Sequence, residues 1–172
     1  KIKAYSLKKK KLGLEEIKQL INFSGDHKSD ILINECLSGT GGPRNFFIFN
    51  DRYRSSMLPL VSDFANRYAF DKQFGWDQDP ESTDIVERVT FETQTLDQVL
   101  KIRDNEVPAP DYLSLDTQGT ELEILKGAHK TLDHHVLAVF TEVGFTATYQ
   151  GQTMFSDLEA YLTPRGFKLA SL

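Results

Sequence analysis

Four polar side chains in the C-terminal half of the chain have types and spacing that suit chemistry. The segment SLDTQGTELEILKGA, residues 114–128, contains Asp116, Gln118 and Glu121, and Glu142 ends the later segment HVLAVFTE. A carboxylate at the end of a strand that faces a helix N-terminus can orient a ligand amine, accept a proton or bind a metal ion. These residues are therefore the first candidates for a functional site.

The same segment also contains residues with plain structural purposes. Gly119 permits a tight turn from strand to helix and a close approach of backbone to a ligand. Thr120 and Glu123 have the Thr-x-x-Glu spacing of a capping box, which predicts Thr120 as the helix N-cap. Capping leaves the other polar residues of the segment unexplained, and we expect those to face a crevice.

Strand-like and helix-like segments alternate from residue 111 onward. They are DYLSLD, TELEILKGAHKTL, HVLAVFTEV, TMFSDLEAYLTPRG and FKLASL, predicted as strand, helix, strand, helix and strand. This alternation is typical of βαβ units around a parallel sheet. Ligands bind beyond the carboxyl ends of such strands, so Asp116 and Glu142 should share one crevice if their strands are parallel neighbours.

The preceding residues predict further elements of the same domain. KIKAYSL, DILINECL, NFFIFN and RVTFETQ read as strands, LGLEEIKQLINF reads as a helix, and Thr95 can cap a helix that runs to Ile102. Residues 51–84 predict a long loop excursion with one short helix. SGTGGP joins two predicted strands and predicts a hairpin-like turn, because a nucleotide cradle should open a helix. We expect one α/β domain over residues 1–172.

Composition narrows the function classes. The formal charge of −5 argues against general binding to nucleic acid or to an anionic membrane. Cys36 is the only cysteine, which excludes an intrachain disulfide and fits a reducing cytoplasmic setting. No apolar run approaches the ~20 residues that a membrane-spanning helix needs. We expect a soluble, cytoplasmic protein in which Cys36 is a buried strand residue.

The motifs together resemble one known family. DYLSLDTQGTELEILKGAHKTL and VLAVFTEVGFTATYQGQTMFSDLEAYLTPRGFKL are similar to the FkbM-type branch of S-adenosylmethionine-dependent methyltransferases. That family shows Asp-x-(Glu/Gln)-Gly-x-Glu, a Leu-Lys-Gly-Ala segment, a strand that ends in Glu and a Tyr-x-Gly-Gln-like loop. Upstream, FETQTLDQVL and YRSSML resemble its Thr-Leu-Asp and Ser-Ser-Leu segments. The similarity covers residues 88–172 most closely.

The resemblance implies a Rossmann-like class I methyltransferase fold, a three-layer α/β sandwich around a mostly parallel sheet. It implies methyl transfer from S-adenosylmethionine to a hydroxyl of a sugar or natural-product-like small molecule. Asp116 would lie at the transfer centre and contact the cofactor. The other residues that the resemblance places around this centre are Gln118, Glu121 and Glu142 in the same pocket, Ser55 and Ser56 on the loop side, and Cys36, Leu37 and Ser38 beside the adenine. The sequence leaves open whether the protein forms a homo-oligomer.

Two departures from the family pattern shape the expectation. We find neither the first strand nor the glycine-rich loop that follows it, and Ser6-Leu7 stands where the second strand should end in Glu-Pro. We therefore expect the chain to begin at the second strand of that fold. Such methyltransferases bind the cofactor chiefly through the glycine-rich loop. We therefore predict weak or absent S-adenosylmethionine binding by this chain.

Two other functions stay open at this point. A non-catalytic α/β module that keeps the family's shape and has lost cofactor binding would explain the missing loop. A metal enzyme could use His134, His135, Asp116 or Glu142, but adjacent histidines on a strand point to opposite faces and do not readily share one ion. His129 and His27 are predicted to be solvated. We expect no bound metal.

Overall fold

The computed structural model describes residues 2–3, 33–62, 84–102 and 107–169. Its strands are β1 (Ile2–Lys3), β2 (Cys36–Leu37), β3 (Gly42–Phe49), β4 (Ile85–Gln94), β5 (Tyr112–Leu115) and β6 (Ala138–Thr141). Its α-helices are α1 (Leu96–Ile102), α2 (Glu121–Gly127), α3 (His129–His134) and α4 (Phe155–Leu162). Two short 3-10 helices cover Arg52–Arg54 and Thr163–Arg165.

One three-stranded sheet is parallel throughout. Its order is β1-β5-β6, and Tyr112 to Leu115 pair in register with Ala138 to Thr141. Leu113 and Leu115 of β5 are each 1% exposed, because β5 is the central strand and its alternate residues face the core. The predicted strand DYLSLD and the parallel pairing with the following strand are confirmed.

A second three-stranded sheet is mixed. Its order is β2-β4-β3, with β2 parallel and β3 antiparallel to β4. The ladder between β3 and β4 extends over all of Gly42–Phe49 and is the longest in the described part of the chain. The described strands thus form two small sheets in a mixed α/β arrangement, and not the single, mostly parallel sheet of a three-layer sandwich that we expected.

The glycine-rich segment after β2 carries the chain across the end of β4. Cys36 and Gly42 both pair with Thr93, one from each side, so β2 and β3 flank β4 and do not pair with each other. Gly41 and Gly42 have positive φ angles of 78° and 85°. The prediction of a simple hairpin-like turn is therefore wrong, although the segment does join two strands and opens no helix.

The main core lies between the parallel sheet and the helices. It is an apolar cluster to which β5, α1, α2, α3 and α4 all contribute: Leu96, Leu100, Val107, Leu113, Leu115, Ile124, Leu125, Ala128, Leu132, Val136 and Leu158. Leu125 and Ala128 are completely buried. This packing holds α2, and with it the turn before α2, in a fixed position on the sheet.

Two predicted helix starts have different outcomes. Thr95 and Gln98 form a reciprocal capping box at α1, with 3.1 Å from Gln98 N to Thr95 Oγ1 and 2.9 Å from Thr95 N to Gln98 Oε1. Thr120 is the N-cap of α2, but its side chain makes no capping hydrogen bond. The predicted capping box of Thr120 with Glu123 is wrong, because Glu123 binds Arg44 and Gly39 instead.

Several element boundaries also differ from prediction. Only Cys36–Leu37 of DILINECL is a strand within the described residues, and 167–169 of FKLASL are not in a strand. The predicted helix 120–132 is two helices that meet at Ala128. The predicted strand from 135 begins at Ala138. Most of KIKAYSL, all of LGLEEIKQLINF and most of the predicted excursion lie outside the described residues.

Candidate functional site

Two carboxylates lie side by side where β5 and β6 end. Leu115 pairs with Thr141, and Glu142 N donates to Leu115 O at 3.1 Å, so Asp116 and Glu142 are the next residues along two neighbouring parallel strands. Both side chains are exposed. The predicted shared edge of these two acidic residues is therefore present in the structure.

The side-chain amide of Gln118 joins the two carboxylates. Its Nε2 donates to Asp116 Oδ1 at 2.7 Å and to Glu142 Oε2 at 3.2 Å. One NH₂ group has two hydrogens, so both can be used for these two bonds. Two like charges at the same edge repel each other, and a shared donor offsets that repulsion. We name Asp116, Gln118 and Glu142 the carboxylate clip.

The turn between β5 and α2 has two successive left-handed residues. Gln118 has a φ of 58° and Gly119 a φ of 103°. A left-handed conformation is uncommon for a residue other than glycine and persists where surrounding contacts hold it. Ser56 Oγ supplies one such contact by donating to Gln118 O at 2.7 Å. The tight turn predicted at Gly119 is confirmed.

Two side chains approach Gly119 closely. A Cβ atom at this position would lie 3.2 Å from Leu58 Cδ1 and 3.2 Å from Gln152 Cγ. Thr153 N also donates to Gly119 O at 3.0 Å. The segment that contains Gln152 and Thr153 therefore packs directly on the turn.

Glu121 lies under the turn and not on its outer face. Its side chain is 3% exposed, and Oε1 accepts hydrogen bonds from Thr117 N at 3.0 Å, Thr117 Oγ1 at 3.1 Å and Gly119 N at 3.1 Å. Glu121, Leu125 and Ala128 share one helical face, which the sequence shows by their spacing. Glu121 thus organises the backbone that carries the carboxylate clip.

Tyr149 is a part of the site that we did not predict from the sequence, beyond its place in the Tyr-x-Gly-Gln-like loop. It is 3% exposed, and its hydroxyl lies 3.0 Å from Gln118 Oε1 and 2.9 Å from Arg54 O. Burial raises the pKa of Tyr149, and the nearby carboxylates raise it further against the opposing charge of Arg54. The hydroxyl therefore stays protonated at neutral pH and acts as a hydrogen-bond donor.

The two predicted serines on the loop side are both buried. Ser55 is 2% exposed, and its Oγ accepts from Phe49 N at 3.3 Å. Ser56 is 0% exposed, and its Oγ accepts from Leu58 N at 3.0 Å while it donates to Gln118 O. The structure brings Ser56 into direct contact with the turn, whereas Ser55 holds the end of β3.

The three residues predicted beside an adenine lie in β2 and directly after it. Cys36 is buried, and burial raises the pKa of its thiol against the opposing charge of Arg44, so the thiol stays protonated. Ser38 Oγ bonds to Thr93 Oγ1 at 2.8 Å and accepts from Gly41 N at 2.9 Å. Leu37 packs against the main core. No direct hydrogen bond joins these residues to the clip among the described residues, and the adenine contact stays a prediction.

A charged pair connects the second sheet to α2. Arg44 of β3 binds both carboxylate oxygens of Glu123, with Nη2 3.1 Å from Oε2, and Gly39 N donates to Glu123 Oε1 at 3.2 Å. Because α2 starts directly after the turn, this pair fixes the sheet of β2, β3 and β4 relative to the clip.

The histidines do not form a metal site in the described residues. His134 ends α3 and His135 follows it, so the expectation that both lie on a strand is wrong. His129 Nδ1 lies 3.3 Å from Asp97 Oδ2, so it has a carboxylate partner. No group of three or more His, Cys, Asp or Glu side chains that could hold a metal ion occurs in the described ranges.

These features define an α/β protein with a polar site at the carboxyl edge of parallel strands, the usual place for small-molecule sites in such folds. The chain matches the family described as Methyltransferase FkbM domain over residues 22–169. It therefore belongs to the FkbM methyltransferase domain family. No curated protein and no solved structure matches it. Within the described ranges, no helix has the length and apolar character to cross a membrane.

Proposed function

We propose that the protein is an S-adenosylmethionine-dependent methyltransferase that methylates a hydroxyl of a sugar or natural-product-like small molecule. Membership of the FkbM methyltransferase family supports methyl transfer. The carboxylate clip is the observation from which we infer where the transfer takes place. Gln118 holds Asp116 and Glu142 together at an exposed edge of parallel strands. Packing alone does not require two acidic side chains there.

The chemistry of the clip fits a cationic methyl donor. S-adenosylmethionine has a sulfonium and an ammonium group, and when bound it supplies a methyl carbon whose bond electrons leave with the sulfur. Asp116 is the clip residue that we assign to contact the donor, since a carboxylate attracts a nearby cation. Glu142 adds a second negative charge from β6.

Asp116 is also the group that can take the hydroxyl proton. Its Oδ1 accepts from Gln118, while its Oδ2 accepts no hydrogen bond from the residues that the structure describes. A base must lie within hydrogen-bond reach of the proton that it removes, and an exposed carboxylate oxygen satisfies this for a substrate at the edge. Tyr149 is unsuited to this role, because its raised pKa keeps the hydroxyl protonated.

Two further predicted residues, Glu121 and Ser56, position the reacting edge in this proposal. Glu121 fixes the turn through three hydrogen bonds, and Ser56 fixes the carbonyl of Gln118. Alignment of nucleophile and methyl group is the main requirement of such a transfer, so a rigid turn serves catalysis directly.

The test is methyl transfer to a panel of sugars and hydroxylated polyketide-like compounds with S-adenosylmethionine at millimolar concentration. We expect S-adenosylhomocysteine release together with an acceptor that gains one methyl group, detected by mass spectrometry. In parallel, NMR titration with the donor should shift the amide signals of residues 116–121. Absence of both transfer and these shifts would contradict the proposal and favour a non-catalytic module.

A further inference from the structure

The donors and acceptors around Gln118 match in only one orientation of its side-chain amide. Asp116 and Glu142 offer carboxylate oxygens, which accept hydrogen bonds, and Gln118 Nε2 faces both. Gln118 Oε1 faces the hydroxyl of Tyr149, which donates. Rotating the amide by half a turn would place its oxygen against two carboxylates and lose both bonds.

We propose that Tyr149 is a positioning residue for the reacting edge, acting through the amide of Gln118 to fix where the two carboxylates lie. Its consequence for turnover rests on the proposed methyltransferase function, whereas its consequence for the amide does not. Tyr149 would not touch the substrate, since Gln118 stands between its hydroxyl and the carboxylates.

Tyr149 is itself held firmly enough to position another side chain. Its backbone N donates to Gln152 Oε1 at 3.1 Å, and Gln150 N donates to Pro59 O at 2.8 Å. The ring is buried, and the hydroxyl reaches a second acceptor, Arg54 O, at 2.9 Å. A buried phenol on a loop that is held by these bonds loses little freedom when it bonds, so it can fix the orientation of the Gln118 amide.

The second acceptor also gives the clip a connection to the segment after β3. A hydroxyl has one proton, which Arg54 O and Gln118 Oε1 share. Ser56, two residues after Arg54, bonds the carbonyl of the same glutamine. Residues 54–56 and Tyr149 therefore restrain both the backbone and the side chain of Gln118.

The kinetic test is a double-mutant cycle of Tyr149→Phe and Gln118→Ala. We expect Tyr149→Phe to lower kcat by roughly five- to tenfold, the effect of one lost hydrogen bond, with little change in KM for the donor. In the Gln118→Ala background the same substitution should not lower kcat further, because the amide through which Tyr149 acts is absent. Equal effects in both backgrounds would overturn the proposal. Tyr161→Phe is the matched control, since within the described residues its hydroxyl donates to Leu125 O and to no part of the clip.

The structural test is NMR of the Gln118 side-chain amide, which needs no substrate. In the wild type we expect two well-separated Nε2 proton signals with slow solvent exchange. Tyr149→Phe should move both towards the values of an exposed glutamine, and Tyr161→Phe should leave them in place. Unchanged signals in a folded Tyr149→Phe protein would overturn the proposal. Absence of both methyl transfer and donor-induced amide shifts in the wild type would instead overturn the proposed function alone.

Discussion

Replacing Glu121 tests whether this residue stabilises the turn, as its contacts indicate. Its Oε1 accepts three hydrogen bonds from buried groups of Thr117 and Gly119. A hydrogen bond to a charged group contributes about 1.5–3 kcal/mol, so three at the lower end give about 4.5 kcal/mol. Release of the buried charge offsets a part. We expect Glu121→Ala to lower the free energy of unfolding by about 3–4 kcal/mol.

Glu121→Gln removes the negative charge of the side chain but keeps its shape and an accepting oxygen. The glutamine oxygen can still accept from the same donors as a neutral group, so we expect a loss of about 1–2 kcal/mol. For a chain of this length each kcal/mol lowers Tm by about 2–4 °C, which predicts a Tm roughly 6–16 °C lower for Glu121→Ala. Glu159→Ala, at an exposed position of α4, is the control.

The assay is urea unfolding followed by circular dichroism, together with hydrogen exchange at the amides of Thr117 and Gly119. Both amides should exchange faster in Glu121→Ala than in the wild type, because each loses its acceptor. A change in stability below 1 kcal/mol, or undiminished protection of both amides, would refute the assignment of Glu121 to the turn.

Three further predictions concern acid stability, packing and cofactor affinity. Although burial acts to raise it, hydrogen bonds from Thr131 and Lys130 and the charge of His129 lower the pKa of Asp97. Its stabilisation is therefore present above the unfolded value near 4 and is lost as pH falls through the lowered folded value, so Asp97→Asn should flatten the acid limb of urea unfolding. Gly127→Ala should cost about 1–2 kcal/mol in the same assay, because its Cβ would lie 2.7 Å from Ser38 O. Calorimetry should find weak S-adenosylmethionine binding by this chain, as the sequence leads us to expect, whereas tight binding would contradict that expectation.

Local patterns in the sequence predicted local structure well. The strand at Tyr112–Leu115, the helix cap at Thr95 and the turn at Gly119 each depend on residues a few positions apart. The shared edge of Asp116 and Glu142 followed from one further assumption, that successive strands of a βαβ unit lie parallel and adjacent.

The structural features that the sequence did not predict depend on contacts between distant segments. Thr120 and Glu123 have the spacing of a capping box, but Arg44, 79 positions before Glu123, takes the carboxylate. Tyr149 likewise reaches Gln118 only because its loop packs on the turn. Charged-pair geometry across sheets has no signature in local spacing, so the sequence alone does not reveal it.

The antiparallel ladder was missed for a similar reason. NFFIFN and RVTFETQ both read as strands, but nothing in either pattern fixes their relative direction. The long connection between them hides the pairing of β3 with β4. The result is a mixed second sheet, which the alternation of strands and helices after residue 111 does not predict.

The most direct test of the carboxylate clip as the methyl-transfer site compares Asp116→Asn with Asp133→Asn. Both remove one exposed carboxylate. Asp133, however, lies on α3, pairs with Arg165 and is not part of the clip. With the best acceptor of the panel, Asp116→Asn should lower turnover at least about a hundredfold at unchanged circular dichroism, as expected for loss of a base. Asp133→Asn should match the wild type. Wild-type turnover in Asp116→Asn would contradict the site.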